Sequence, residues 1–432
     1  MINIADSALL LRGARPYGGR PADVLVRNGI LETMASAGSL DPTGYVVREA
    51  QDLIMLPGLV DLHTHLREPG GEESETVSTG TRSAAAGGYT DVFAMANTDP
   101  VTDTIERLER LRQIIAETAL CRVHPVGSLT IGLQGQQLSP IEALAHAGVT
   151  VFSDDGKCVD SAVLTRQALQ QAAALNVVVA QHAQHGELAG FGQINAGPAA
   201  ERTSLPPWLG VAEETIIARD ALLAADTGGA LHVCHVSTRR SAEVVRWAKA
   251  QGWPITAEVT PHHLLLTDEL AALANPRYKV NPPLRSDDDV RALREALLEG
   301  TIDIVATDHA PHSAERKARA WCDAPFGMTG LETALPVLAH VLTQEAALDW
   351  KTIARLMSTA PALIGQIGEI AGRPLATGEP ATFTLIDPQA AWRITEDDRF
   401  SKSGNTPFLD SVFSHRVVAT VLHGTVIHGA LN

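Results

Sequence analysis

The chain has 432 residues, of which 45% are hydrophobic and 19% charged, and its formal net charge is −16 at pH 7. Its length allows two to three domains, or one large α/β barrel with a smaller unit beside it. The negative charge argues against non-specific binding to nucleic acid or to an anionic membrane. We expect a cytoplasmic protein, because the cysteines are scattered, no signal-peptide pattern opens the sequence, and no apolar run reaches the roughly 20 residues that span a bilayer.

The hydrophobic pattern changes twice along the chain. Residues 1–55 and 371–432 favour short strands separated by turns, whereas residues 56–370 alternate strand-length apolar runs with amphipathic, helix-length segments. This alternation is typical of βαβ units, and eight strands over about 250 residues favour a closed barrel over an open sheet. We therefore predict an α/β fold, with a (β/α)8 TIM-type barrel over residues 56–370 and a small composite β-sandwich domain from residues 1–55 plus 371–432. The predicted barrel strands are Leu59–His63, Thr90–Met95, Arg122–Ser128, Thr150–Ser153, Val177–Gln181, Leu231–His235, Ile255–Val259 and Ile302–Thr307, and helices predicted between them are Ile105–Thr118, Ala162–Leu175, Ala212–Ala225, Ala242–Gln251 and Asp288–Glu299.

Two histidines follow the first barrel strand. Because side chains alternate along a strand, His63 and His65 point to the same side. Neutral imidazole is a preferred ligand of zinc and similar divalent metals, so the pair supplies half of a metal site. Arg67 continues the same parity and adds a guanidinium suited to binding a carboxylate. Alone, a His-x-His pair is weak evidence, since most such pairs are surface or core residues.

Further metal-ligand side chains follow other predicted strands. In barrel enzymes the site lies at the carboxyl ends of the strands, so residues at these exits are brought together. Their convergence predicts a metal site. They are too many for one tetrahedral zinc with an open position, and they suit two ions that share a carboxylate. The exits carry Asp154 and Asp155 after the fourth strand, His182 after the fifth, His235 after the sixth and Asp308 after the eighth.

Two runs resemble the signatures of a known family. The runs Asp61–Gly70 and Ala306–His312, the second with Lys317 following, are similar to the two motifs of bacterial class I dihydroorotases, in the amidohydrolase superfamily. The resemblance covers the whole chain. It implies the reversible cyclisation of N-carbamoyl-L-aspartate to L-dihydroorotate in de novo pyrimidine biosynthesis, by a zinc-bound hydroxide with Asp308 as general acid and base.

The resemblance also implies roles for individual residues. His63, His65 and Asp308 would hold one Zn²⁺, His182 and His235 a second, and the family spacing favours Asp155 over Asp154 as the bridging ligand. Asn281 could instead cap the turn before two prolines. Gln184 departs from the acidic residue expected two positions after His182, which leaves its contacts open. The implied substrate-binding residues are Arg67, Asn97, Asn281, His312, Phe326 and Gly327.

Two alternative functions remain. One is another cyclic amidase, similar to hydantoinase or allantoinase, in which a carboxylated lysine replaces the bridging aspartate; no lysine stands at the matching position. The other is an inactive dihydroorotase-like scaffold for aspartate carbamoyltransferase, against which the filled ligand positions argue. The resemblance implies a small anionic substrate and a homodimer, and it allows an association with aspartate carbamoyltransferase. No nucleic-acid or membrane partner is expected.

Overall fold

The computed structural model describes residues 8–397 and 399–430. Residues 1–7, 398 and 431–432 of the predicted terminal segments lie outside this range. The strands are β1 Leu9–Pro16, β2 Ala22–Arg27, β3 Ile30–Ser36, β4 Val46–Glu49, β5 Ile54–Pro57, β6 Leu59–Thr64, β7 Tyr89–Ala94, β8 Arg122–Pro125, β9 Val151–Phe152, β10 Val178–Gln181, β11 Ile194–Asn195, β12 Pro207–Trp208, β13 Ala230–Val233, β14 Ile255–Val259, β15 Ile304–Val305, β16 Phe383–Asp387, β17 Trp392–Arg393, β18 Val412–Phe413, β19 Arg416–Leu422 and β20 Thr425–Gly429.

The helices lie mainly between the parallel strands. They are α1 Val77–Ala86, α2 Ile105–Thr118, α3 Ile141–His146, α4 Ala162–Leu175, α5 Gly186–Ala189, α6 Pro198–Thr203, α7 Val211–Thr227, α8 Arg239–Ala250, α9 Pro261–Leu265, α10 Asp268–Ala271, α11 Asp287–Leu298, α12 Ala314–Lys317, α13 Ala334–Gln344, α14 Trp350–Ala354 and α15 Ala360–Ile364, with short 3-10 turns at Ile131–Leu133 and Pro276–Tyr278 and a π-helical turn at Arg355–Thr359. Within the described ranges, no helix is both long enough and apolar enough to cross a membrane.

Local sequence explains where the longer helices begin and end. The Ser161 side chain accepts a hydrogen bond from the backbone N–H of Leu164, and Asn176 ends α4 in the left-handed conformation with φ of 53°. These are the usual roles of Ser at a helix start and of Asn just past a helix end. The face of α4 that carries Leu169 and Ala172 is buried, so the helix packs on the strands through its apolar side.

The eight central strands pair in parallel in two groups. One group is β6–β7–β8 and the other is β9–β10–β13–β14–β15. Single parallel bridges connect the groups on both sides, at Gly127–Phe152 and at Thr64–His309. Each predicted barrel strand therefore has a counterpart, and the fold is of the mixed α/β class.

The last of these strands is shorter than expected. Residues 302–307 were expected to be extended, whereas β15 covers only Ile304–Val305. At the carboxyl end of this segment, the buried Asp61 carboxylate accepts hydrogen bonds from the backbone N–H and the hydroxyl of Thr307, at 2.9 and 2.5 Å. The Asp61 side chain thus takes the place of a backbone hydrogen-bond partner just after β15, one residue before Asp308.

A second sheet joins strands from both ends of the chain. Its order is β20–β19–β16–β5–β1–β2–β3, with β4 pairing with β1. Asn28 and Gly29, at φ of 52° and 73°, form the tight turn between β2 and β3. Both central residues of such a turn need positive φ, which explains the Asn-Gly pair. Strand β5 pairs with β16 and is separated from β6 by Gly58 alone, so this sheet leads directly into the strand that carries His63.

Candidate active site

Asp155 lies at the centre of a ring of imidazoles. Its Oδ1 is 3.3 Å from Nε2 of His63, and its Oδ2 is 3.3 Å from Nε2 of His65. On the other side, Nδ1 of His182 and Nε2 of His235 lie 3.3 and 3.4 Å from Oδ1. These five side chains follow strands β6, β9, β10 and β13 or lie near their ends. Because the carboxyl ends of parallel strands lie at one edge of the sheet, and because side chains alternate along β6, the five side chains meet.

Asp308, which follows β15, completes the cluster. Its Oδ1 lies 3.1 Å from Nε2 of His65 and 3.6 Å from Nε2 of His63. Three site residues, Arg67, His235 and Asp308, have positive φ values of 62°, 32° and 45°. Such conformations cost a non-glycine residue about 1–3 kcal/mol and concentrate at functional sites. The surrounding structure therefore holds the backbone of these three residues in a conformation that is unfavourable for a non-glycine residue.

The donor atoms fit a metal centre. His63 Nε2 and Asp155 Oδ1 are buried and have no hydrogen-bond partner among the described residues. Buried polar atoms are almost always paired, so a cation is the natural partner of these two. Among the described residues, three groups that share His63 have ligand atoms within 4.8 Å of one another, and two of them consist of predicted ligands: His63 with His65 and Asp308, and His63 with Asp155 and His235. Imidazole nitrogens and carboxylate oxygens are ligands that zinc accepts.

The two neighbouring aspartates point in different directions. Asp154 accepts hydrogen bonds from both the backbone N–H and the hydroxyl of Thr130, the former at 2.9 Å, and these contacts turn it away from the imidazoles. Asp155 instead faces the four histidines. Of the two, Asp155 is therefore the one placed to serve as a ligand of a metal held by these histidines, and Asp154 anchors the turn through Thr130.

Glu258 on β14 is a site residue that the sequence reasoning missed. Its Oε1 accepts a 2.6 Å hydrogen bond from Nδ1–H of His63, and its Oε2 lies 3.1 Å from Nε2 of His232. Burial would raise the pKa of this carboxyl, but His63 and His232 lower it to about 2. The bond fixes the His63 tautomer and leaves Nε2 free for a metal. A glutamate inside the apolar run Ile255–Val259 was the available signal.

Amide side chains orient the next two histidines. Nδ1–H of His65 donates to Oδ1 of Asn97, and Nε2–H of His182 donates to Oε1 of Gln184, each at 2.9 Å. Gln184 also accepts a hydrogen bond from the side-chain amide of Asn281, at 2.9 Å. Asn281 thus points toward the cluster, and the same amide oxygen contacts a predicted metal ligand and a predicted substrate-binding residue.

All the sequence-predicted site residues line one cavity of about 220 Å³ except His63, which is buried beneath it. Arg67 lies at this cavity, and burial lowers the pKa of its guanidinium to about 10, so it stays charged at neutral pH. His312 donates from Nε2–H to the carbonyl of Phe326 at 2.6 Å. Burial, followed by the charge of Arg67, lowers the pKa of His312 to about 2, so this imidazole is neutral.

Solved structures of hydantoinases and dihydropyrimidinases share this fold. The L-hydantoinase (dihydropyrimidinase) from Arthrobacter aurescens superposes with a TM-score of 0.87 at 25% identity, over 98% of this chain and 96% of that one. The dihydropyrimidinase from Brevibacillus agri has a TM-score of 0.85 at 21% identity, over 98% and 95%. Together with the buried histidine–aspartate cluster, this similarity defines a cyclic amidohydrolase.

Sequence relatives identify the family within that class. The dihydroorotase of Streptomyces coelicolor is 52% identical over 429 residues, covering 98% of this chain and all of that protein. The dihydroorotase of Mycobacterium tuberculosis is 46% identical over 423 residues, covering 97% of this chain and 98% of its own length. A family model described as dihydro-orotase-like matches residues 52–241. The chain belongs to the dihydroorotase family.

Proposed function

We propose that this chain catalyses the reversible cyclisation of N-carbamoyl-L-aspartate to L-dihydroorotate, a step of de novo pyrimidine biosynthesis, in the cytoplasm. The observation that carries the proposal is that a single cavity joins the histidine–aspartate cluster to Arg67. The reaction needs both a centre that activates an amide carbonyl and a cation that holds the substrate's carboxylate. The overall charge of −16 opposes an anionic substrate, so a local positive group must attract it.

The donor set supports two zinc ions. His63, His65 and Asp308 would hold one, His182 and His235 the other, and Asp155 would bridge them, because its carboxylate faces both groups. Zinc, when bound, supplies Lewis acidity that polarises an amide carbonyl and makes water a better nucleophile near neutral pH.

Asp308 is proposed as the group that moves protons. Its carboxylate lines the cavity, 3.1 Å from Nε2 of His65, so it adjoins both the predicted centre and the substrate volume. When the ring opens, it takes a proton from the attacking water and passes it to the leaving ring nitrogen. When the ring closes, it accepts a proton from the carbamoyl nitrogen and delivers it to the carboxyl oxygen that leaves as water.

Arg67 and its neighbours are proposed to bind the substrate. The guanidinium supplies charge-assisted hydrogen bonds to a carboxylate, which an ammonium cannot match in geometry. Asn97 and Asn281 contribute amide groups to the lining of the cavity, and Phe326 and Gly327 form part of its wall. These contacts would select a small, anionic, amide-containing ligand.

The structural likeness to hydantoinases makes a different cyclic amide the main alternative substrate. In that alternative, a carboxylated lysine would take the place of the bridging aspartate. Here Asp155 lies at the centre, and Lys157, two residues further on, is exposed and does not line the cavity, which argues against the alternative. An inactive scaffold is disfavoured because the predicted ligand side chains lie together.

The test combines elemental analysis with a substrate panel. We expect about two zinc ions per chain, turnover of dihydroorotate and carbamoyl aspartate, and no turnover of hydantoin or allantoin. A protein that binds no metal and turns over neither partner would be a scaffold, and turnover of hydantoin alone would assign the alternative amidase activity. Asp308→Asn should remain folded and lose nearly all turnover. A variant close to the wild type would remove Asp308 from the proposed role.

We further propose that the eight parallel strands form a closed (β/α)8 barrel, which the bridges at Gly127–Phe152 and Thr64–His309 support. The sheet built from both chain ends supports a composite β-domain beside it. The family resemblance also supports a homodimer and an association with aspartate carbamoyltransferase. Light scattering of the purified chain, alone and mixed with the transferase, tests both assemblies.

A further inference from the structure

Two lysine ammonium groups lie close to residues of the cavity and donate their hydrogen bonds to backbone carbonyl oxygens. Nζ of Lys317 donates to the carbonyls of Pro276, Lys279 and Pro325, at 2.8, 3.0 and 3.0 Å. Nζ of Lys279 donates to the carbonyls of Trp321 and Ala324, at 2.6 and 2.7 Å, and is 3.4 Å from that of Cys322. Within the described residues, no ion pair joins either ammonium to a carboxylate.

The two lysines connect two segments that form the cavity wall. The backbone carbonyl of Lys279 accepts from Lys317 Nζ and, at 3.0 Å, from the N–H of Gly327. The Lys279 side chain crosses to the segment 321–324 and lies 4.3 Å from the ring centroid of Phe326. The first segment includes Lys279 and continues to Asn281, two residues further on. The second segment continues from residue 321 to Phe326–Gly327. Asn281, Phe326 and Gly327 are proposed substrate contacts.

Three of the carbonyls that the ammonium groups bind have no backbone partner. No helix or strand occurs between residues 318 and 327. In the described part of the chain, no backbone N–H bonds to the carbonyls of Trp321, Ala324 or Pro325. An ammonium provides three donors from one point, which suits several converging carbonyls. The lysines therefore replace the regular hydrogen bonding that this segment lacks.

Placing these charges here has an energetic cost. Burial, followed by the neighbouring charge of Lys279, lowers the pKa of Lys317 from 10.5 to about 7. Burial also lowers the pKa of Lys279. Removing a charge from water without an ion-pair partner is unfavourable, and an apolar side chain could fill the same volume without that cost. Packing alone therefore does not account for the pair.

We propose that Lys279 and Lys317 are positioning residues that fix the Asn281 segment and the Phe326–Gly327 backbone in the geometry that binds the substrate. The inference rests on the proposed function. It gives Lys317, a residue of the second sequence motif, a role outside the metal centre. Because the lysines act on the binding wall and not on the cluster, they should affect substrate affinity more than the chemical step.

The test compares Lys317→Met and Lys279→Met with Lys317→Arg and Lys249→Met. We expect the two lysine-pair variants to raise KM for dihydroorotate about tenfold, with kcat changed less than about threefold and zinc content unchanged. Lys317→Arg keeps the charge and several donors and should restore part of the affinity. Lys249 is the matched control, because its ammonium bonds Asp303 at 2.6 Å and does not line the cavity, so its variant should keep the wild-type KM.

Limited proteolysis supplies a second readout. Arg319 is exposed, and we expect trypsin to cut after it several-fold faster in Lys279→Met than in the wild type. A KM within twofold of the wild type in both methionine variants would overturn the inference, as would an equal loss of kcat and zinc. If one methionine variant does not fold, the other and Lys317→Arg decide. A wild type that does not turn over dihydroorotate would overturn the proposed function instead.

Discussion

The side-chain oxygen of Gln184 accepts the Nε2–H of His182 at 2.9 Å, which leaves Nδ1 of the imidazole directed at Asp155. The same oxygen accepts a hydrogen bond from Asn281. An amide therefore orients this histidine where an acidic residue was expected, and it couples the proposed metal centre to a proposed substrate contact.

Gln184→Leu should weaken both metal binding and substrate binding. Loss of the acceptor lets the His182 ring change tautomer and removes the 2.9 Å hydrogen bond of the Asn281 amide. Outer-shell contacts of this kind are worth about 10–100-fold in metal affinity. We expect weaker zinc binding in a chelator competition and a higher KM. Gln184→Glu keeps an acceptor and should retain most zinc affinity; an equal loss in both variants would contradict the hydrogen-bond explanation.

Asp155→Asn and Asp154→Asn form a matched pair one residue apart. Asp155→Asn removes the anionic bridge and should lower both zinc content and kcat, the latter by at least about a hundredfold. Asp154→Asn keeps an oxygen acceptor for Thr130 and should keep its zinc and most of its activity, with a lower Tm. Elemental analysis and steady-state kinetics distinguish them, and the reverse pattern would assign the bridge to Asp154.

Glu258→Gln tests the carboxylate behind His63. The amide has nearly the same shape but no charge, so it no longer favours the His63 tautomer with a free Nε2. We expect zinc affinity to fall about 10–100-fold, as measured by competition with a chelator. Glu332→Gln is the control, because Glu332 accepts hydrogen bonds from Ser83 and from the backbone of Phe400 and Ser401, outside the cluster. Equal effects of the two changes would indicate general destabilisation.

Arg67→Ala should raise KM for carbamoyl aspartate by about a hundredfold, since it removes the proposed partner of a carboxylate. Arg67→Lys keeps the charge but loses the planar fork, so an intermediate KM is expected. Zinc content should be the same in both variants. An unaltered KM in Arg67→Ala would exclude this residue from carboxylate binding.

The stability of the protein should depend on pH through Lys317. Its folded pKa of about 7 lies below the ordinary value of 10.5. Between these values the unfolded chain binds more protons than the folded chain, so the contribution of Lys317 to stability increases as the pH rises from 7 toward 10.5. Below pH 7 both states are protonated and the contribution is constant. The Tm of the wild type relative to Lys317→Met should therefore increase between pH 7 and 10, and a falling difference would contradict the assignment.

Sequence predicted the features that depend on local spacing. The bounds of α2 and α4 match the predicted Ile105–Thr118 and Ala162–Leu175, because period and capping residues agree there. Strand parity likewise explains why His63 and His65 share one side. Residue spacing left Asp154 and Asp155 open, since both follow β9, and only the contact with Thr130 separates them.

Other parts of the site depend on residues far apart in the chain. Glu258 meets His63 across 195 positions, so no spacing rule could pair them. The lysine pair depends on carbonyls of an irregular segment, whose path local sequence does not determine. Gln184 was noted as a departure, but its double contact required the position of Asn281.

The short connection between β5 and β6 restricts how this chain can change in length. Gly58 alone separates the two strands, and a Cβ at that position would lie 2.3 Å from the Thr90 hydroxyl. A single inserted or deleted residue has no loop to absorb it and would turn His63 and His65 to the opposite side of the strand. In the exposed turn after β3, by contrast, a Cβ at Gly44 would meet nothing within 4 Å. Natural variation in length should accordingly be excluded from residues 54–65 and tolerated in that turn.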